Sequence, residues 1–121
     1  MKRTLIVGAT PNTSRYAYMA AERLTDHEHE IIPIGIKQGK VFGKSILPIR
    51  EFPELPEINT ITLYIGPRHQ AEYIDYLLQL KPKRIIFNPG TENPDFMDKA
   101  AKQGIEVVEG CTLVMLQSSM F

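Results

Sequence analysis

The sequence predicts a three-layer α/β sandwich around a mainly parallel sheet of about five strands. Two observations carry this. Short apolar runs of the kind buried on both faces of a parallel sheet alternate with stretches whose apolar residues recur at helical spacing. Each run ends in Gly, Pro or Asn, so the chain turns after every element. Strand–helix–strand alternation of this kind crosses over right-handed and covers the sheet with helices on both faces.

Residues 4–8 form the first strand, and the helix over 14–24 follows with Ala17, Ala20, Ala21 and Leu24 on one face. The second strand spans 30–35. Residues 37–56 are irregular, punctuated by Gly39, Gly43, Pro48, Pro53 and Pro56, with a short strand over 45–48 around Ile46 and Leu47. A strand over 60–65 ends at Gly66-Pro67, and a helix over 69–80 carries Ala71, Ile74, Leu77 and Leu78 inward. The strand over 84–87 ends at Asn88-Pro89-Gly90. A helix over 93–103 carries Phe96, Met97, Ala100 and Ala101, and Gly104 stops it. Residues 105–108 close the parallel set, and 111–116 make a short apolar tail. No internal repeat interrupts the series, so 1–121 reads as one domain.

Composition narrows the function. Apolar residues at 43% and charged residues at 23% suit an ordinary soluble domain. Fourteen basic residues balance fourteen acidic ones, which disfavours nucleic acid or a membrane surface as partner. One cysteine makes no internal disulfide, and no signal peptide or long apolar run stands out, so a cytoplasmic address is expected.

The first strand runs into Gly8-Ala9-Thr10-Pro11-Asn12-Thr13-Ser14-Arg15 and then a helix. Free backbone N–H groups and the positive dipole end at such a helix start attract an anion, typically a phosphate. The other loops expected beside it, at the carboxyl ends of the strands, are 35–40, 66–69 and 88–92. The first loop is not the dinucleotide fingerprint G-x-G-x-x-G, because it has a single glycine. After the second strand, Pro33-Ile34-Gly35-Ile36-Lys37-Gln38-Gly39-Lys40 has no acid to hold a bare ribose diol, and two lysines that would suit an extra phosphate. The ligand suggested is an adenine nucleotide with a phosphorylated ribose: coenzyme A (CoA) or NADP.

The chain resembles the small stand-alone CoA-binding domain proteins, a Rossmann-like fold shared with the CoA-binding domain of the succinyl-CoA synthetase α subunit. The matching pieces are the loop from Val7 to Arg15, the strand Ile31-Ile32-Pro33-Ile34, and Val41-Phe42-Gly43-Lys44-Ser45. Lys83-Arg84-Ile85-Ile86-Phe87-Asn88-Pro89-Gly90 and Gly104-Ile105-Glu106-Val107-Val108-Glu109-Gly110-Cys111 complete them. The resemblance implies that Gly8, Ala9, Thr10, Ser14 and Arg15, in the loop that also holds Asn12 and Thr13, cradle the CoA phosphates. It implies that Gly35, Ile36 and Lys37 border the adenine and its ribose. Ile65, Gly66 and Pro67 would then pass the nucleotide or pantetheine arm, with Asn88 and Gly90 near its far end. The chain departs from the family pattern at Gly35-Ile36, where Asn-Pro is usual, at Ile86-Phe87-Asn88, where Trp-x-Gln is usual, and at His29, where glycine is common.

Catalytic signals are thin. His27 and His29 belong to a turn at the opposite end of the sheet; His69 and Arg68 open the helix beside the expected cleft. Cys111 has only Glu106 and Glu109 nearby in sequence, which suits a buried structural role better than a nucleophile. The synthetase reaction needs a phosphohistidine from a second domain, so fold alone does not transfer it. The expected function is therefore non-catalytic binding of CoA or an acyl-CoA, acting with a protein partner or as a homo-oligomer. The alternatives are an NADP-binding redox or sensor domain, and an interaction module that keeps the fold without a ligand. Tyr16, Tyr18, Tyr73 and Tyr76 would suit the last if exposed.

Overall fold

The computed structural model describes residues 1–121. Strand β1 (Thr4–Val7) is buried over all four residues because it is flanked by strands on both edges and by helices on both faces. It pairs in parallel with β2 (Ile31–Gly35) on one side and β6 (Thr60–Leu63) on the other. The outer strands are β5 (Leu47–Pro48) beside β2, then β7 (Arg84–Phe87) and β8 (Glu106–Glu109) beyond β6. The sheet thus has six strands in the order β5-β2-β1-β6-β7-β8, every pairing parallel. The sixth is the two-residue β5, inside the short strand that the sequence suggests.

Alternation along β1 separates the layers. Ile6 packs with Ala17, Ala21 and Leu24 of α1 (Tyr16–Asp26) and with Leu116 of α4 (Thr112–Gln117). Leu5 and Val7 pack on the other face with Ile74 and Leu77 of α2 (Ile74–Gln79) and with Phe96 and Ala100 of α3 (Pro94–Lys102). Phe87 and Phe96, both fully buried, meet edge to face at 5.2 Å and fix α3 against β7. Asn93 caps α3 by accepting the Phe96 N–H at 3.3 Å, ahead of Pro94 in the first turn.

Three segments differ from the sequence expectation. The stretch over 69–80 is not one helix: 3₁₀ turns at Pro67–His69 and Ala71–Tyr73 precede α2. Gln70 donates its backbone N–H to Pro67 O and accepts that of Tyr73, contacts three residues apart that tighten the chain. The apolar tail is helix α4, and it folds back because Leu116 finds a place against the α1 layer. Within the irregular stretch, β3 (Lys40–Val41) and β4 (Lys44–Ser45) form a hairpin. Its turn is Phe42-Gly43, both at positive φ (48° and 81°), which matches the twist of the two strands.

The histidine turn lies at the amino-terminal end of the strands. There His29 Nδ1 accepts the Lys2 N–H at 2.9 Å, and burial holds its pKa below the usual imidazole range. Tyr73 and Tyr76 are buried against Phe52, so of the tyrosines that suggested an interaction surface only Tyr16 is exposed. No helix is long and apolar enough to cross a membrane.

The chain leaves β1 for β2 on one side and later returns to β6 on the other. Strand order therefore reverses at β1, and a crevice opens over the carboxyl ends of β1 and β6.

Candidate functional site

A cleft of about 600 Å³ occupies that crevice. One wall is the start of α1, with Ser14, Arg15 and Tyr16; the opposite wall carries Arg50, His69, Glu72 and Tyr73. Between them lie the strand ends: Gly8 to Thr10 after β1, Gly35 to Lys37 after β2, and Tyr64 to Gly66 after β6. Pro89, Gly90 and Thr91 after β7 close the far end.

The first loop is held by its own backbone and by Asn12. The N–H groups of Gly8 and Ala9 both donate to Ile34 O, at 2.9 and 3.1 Å, which ties the loop to β2. Asn12 Oδ1 accepts from the Ser14 N–H and hydroxyl at 3.0 and 2.8 Å, and Asn12 O accepts the Arg15 N–H at 3.2 Å. Arg15 is the residue before the helix and its side chain makes no cap, so the N–H groups of Tyr16 and Ala17 have no acceptor within the chain. Gly8 sits at φ +95° with Ile65 and the Tyr64 carbonyl packed against the place a Cβ would take.

Two buried amides shape the other loops. Gln70, fully buried, donates from Nε2 to Ile65 O at 2.9 Å and to Thr91 O at 2.8 Å, joining the loops after β6 and β7. Its Oε1 accepts from Asn93 Nδ2 at 2.9 Å. Asn88 Nδ2 donates to Thr62 Oγ1 at 2.7 Å and Leu63 O at 2.8 Å, while its Oδ1 accepts the Thr112 N–H at 2.9 Å.

Of the residues singled out from sequence, Gly8, Ala9, Thr10, Ser14, Arg15, Gly35, Ile36, Lys37, Ile65, Gly66 and Gly90 line the cleft. Asn12 lines a shallower polar hollow beside it, shared with Arg15 and Lys37. Thr13 and Pro67 belong to the same loops without lining either space. Asn88 is 3% exposed and all its polar atoms face inward, so its side chain joins β6, β7 and α4 and does not reach the cleft. Cys111, half-buried at the start of α4, is also outside the lining. His69 lines it, as its place after β6 suggested.

Arg50, Tyr64, Glu72 and Tyr73 are lining residues that sequence reasoning missed, whereas Thr91 falls within the 88–92 loop expected there. Arg50 lies in the stretch without periodicity, and Tyr73 read as part of a helix surface suited to an interaction. No group of three or more His, Cys, Asp or Glu side chains is arranged to hold a metal ion.

Tyr64 shows what burial does at the cleft floor. Its hydroxyl is buried near the Thr62 and Thr112 hydroxyls without a well-formed hydrogen bond to either, and burial, outweighing these neighbours, pushes its pKa up to about 12. The folded protein holds this proton more tightly than the unfolded chain, so stability falls as pH rises from about 10 to about 12. Tyr64→Phe is expected to leave neutral-pH stability unchanged or raise it by up to about 1 kcal/mol. It should also flatten the alkaline loss, read from urea midpoints at pH 8 and 11. An undiminished alkaline loss would assign it to another group.

The family model described as a CoA binding domain matches residues 2–117. The chain belongs to the CoA binding domain family. An uncharacterised protein of known crystal structure is 55% identical, with a TM-score of 0.96 over 100% of this chain and 98% of that one. A hypothetical protein from Pyrococcus horikoshii OT3 superposes with a TM-score of 0.86 at 23% identity, covering 98% of this chain and 83% of its own. A Thermus thermophilus protein, cell-free ID.343, gives 0.85 at 19% identity, covering 99% and 90%. These last two share the fold. A search of curated proteins finds no match.

Proposed function

We propose that the chain binds CoA or an acyl-CoA in this cleft, as a binding module with no turnover of its own. The observation that carries the reading is the convergence of unpaired N–H groups at the start of α1 with Arg15 and Lys37 on one cleft at the reversal of strand order. A diphosphate accepts from such N–H groups and is neutralised by such cations. The cleft continues past Gly66 to Gly90, which gives the pantetheine arm a path over β6 and β7. Family membership supports CoA over other anions.

Titration calorimetry of CoA against wild type and Arg15→Glu tests the reading. Wild type should bind, and charge reversal should weaken binding by about 100-fold, since it replaces an attraction to phosphate with a repulsion. Acetyl-CoA incubated with the protein should be recovered intact. Hydrolysis of the thioester would make the module an enzyme, and equal affinity of both proteins would remove Arg15 from the site.

A further inference from the structure

We infer that Arg50 pairs with Lys37 to read a phosphomonoester on the ribose of the bound nucleotide, an inference that rests on the proposed binding of CoA. The parallel register between β2 and β5 carries it. Gly35 is paired with Pro48; Lys37 lies two residues beyond the first and Arg50 two beyond the second. The two cations therefore follow the paired ends of neighbouring strands, Arg50 within the 3₁₀ turn Ile49–Glu51, and both line the cleft.

The turn that presents Arg50 is anchored. Ile49, 2% exposed, is embedded in the core on one side of it. On the other, Phe52 donates its N–H to Ile49 O at 3.1 Å and adopts the left-handed conformation that ends the 3₁₀ turn. Neither cation is engaged: the ion pairs of the molecule are Arg3–Glu30, Lys99–Asp95 and Lys102–Asp98. Glu72 lines the same wall without forming a pair with Arg50. Lys40, the other basic residue that follows β2, is instead held in the exposed hairpin, paired with Ser45 and outside the cleft.

The position of the pair decides which phosphate it meets. In sheets of this topology the diphosphate lies at the helix start after the first strand and the adenosine ribose over the end of the second. Arg50 and Lys37 stand at that second position, from β5 and β2 respectively. A ribose phosphomonoester carries a charge of about −1.5 to −2 at neutral pH, which two cations match, and the guanidinium fork accommodates two of its oxygens. This chemistry is common to the 3′-phosphate of CoA and the 2′-phosphate of NADP.

Calorimetry of wild type, Arg50→Gln and Arg50→Lys with CoA, 3′-dephospho-CoA, NADP and NAD separates the cases. The expected result is a wild-type preference for CoA over 3′-dephospho-CoA that Arg50→Gln cuts by about tenfold, with 3′-dephospho-CoA affinity unchanged within about twofold. Arg50→Lys should restore part of that preference, because it keeps the charge and loses the fork. Collapse of an NADP-over-NAD preference instead would uphold the role of Arg50 and overturn CoA as the ligand. A CoA preference that survives Arg50→Gln, or equal weakening of both members of a pair, would overturn the inference and leave CoA binding standing. Wild type without a binding signal for any of the four would overturn both.

Discussion

Asn88→Leu is expected to lower the stability of the fold by about 3 kcal/mol or more, a large share of the 5–15 kcal/mol typical of a small domain. The replacement has nearly the same shape but leaves the Thr112 N–H and the Leu63 carbonyl buried without their partner. Each such orphan costs about 1–3 kcal/mol. Thr62 Oγ1 keeps its 2.8 Å contact with Thr112 Oγ1 and softens the loss there. In urea the midpoint should fall by about 2 M with an unchanged slope. Should Asn88 serve the ligand instead, the midpoint would hold and only CoA affinity would drop.

Gly8→Ala should cost about 2–4 kcal/mol and weaken any ligand seated on the first loop. Two effects combine there. The backbone at φ +95° is strained for a residue with a side chain. A Cβ would also lie 2.9 Å from Ile65 Cγ2 and 3.1 Å from both the Tyr64 carbonyl carbon and its oxygen, and the carbonyl cannot rotate away. Comparison with two other glycines separates the effects. Gly90 has positive φ and no atom within 4 Å, so Gly90→Ala isolates the backbone cost, about 1–2 kcal/mol. Gly66, at φ −69° with its nearest neighbour at 4.0 Å, should accept alanine within about 0.5 kcal/mol. Equal unfolding midpoints for Gly8→Ala and Gly90→Ala would mean that the Tyr64–Ile65 backbone moves aside.

Much of the fold was legible because β1, β2, β6 and β7 are apolar runs in a double-sided sheet, and their burial leaves no other arrangement for those residues. Helix α3 was equally plain, with Asn93 ahead of Pro94 and Gly104 behind. The helix over 69–80 was misread because inward spacing of Ala71, Ile74 and Leu77 says nothing of Gln70, whose side chain holds the turn from within. The cleft's first loop and the β2 loop were visible as glycine breaks. Arg50 was not, because β5 has two residues and its place beside β2 is a long-range pairing with no local pattern. Asn88 was misplaced for a related reason: an Asn after a strand looks the same in sequence whether it faces a ligand or a neighbouring helix.

Gln70 gives the cleft two mechanical halves. Its amide joins the loops after β6 and β7 to each other and, through Asn93, to the first turn of α3. These loops are therefore braced before a ligand arrives, and the entropy of ordering them is not charged against affinity. The brace is made wholly of uncharged groups, so ionic strength and pH leave it untouched. The other half carries Arg15, Lys37 and Arg50, and the proposed ligand would be held there by charge that salt screens. Rising salt should thus loosen the nucleotide while the region over β6 and β7 keeps its shape, so a molecule that reached only that region would dissociate at a rate indifferent to salt.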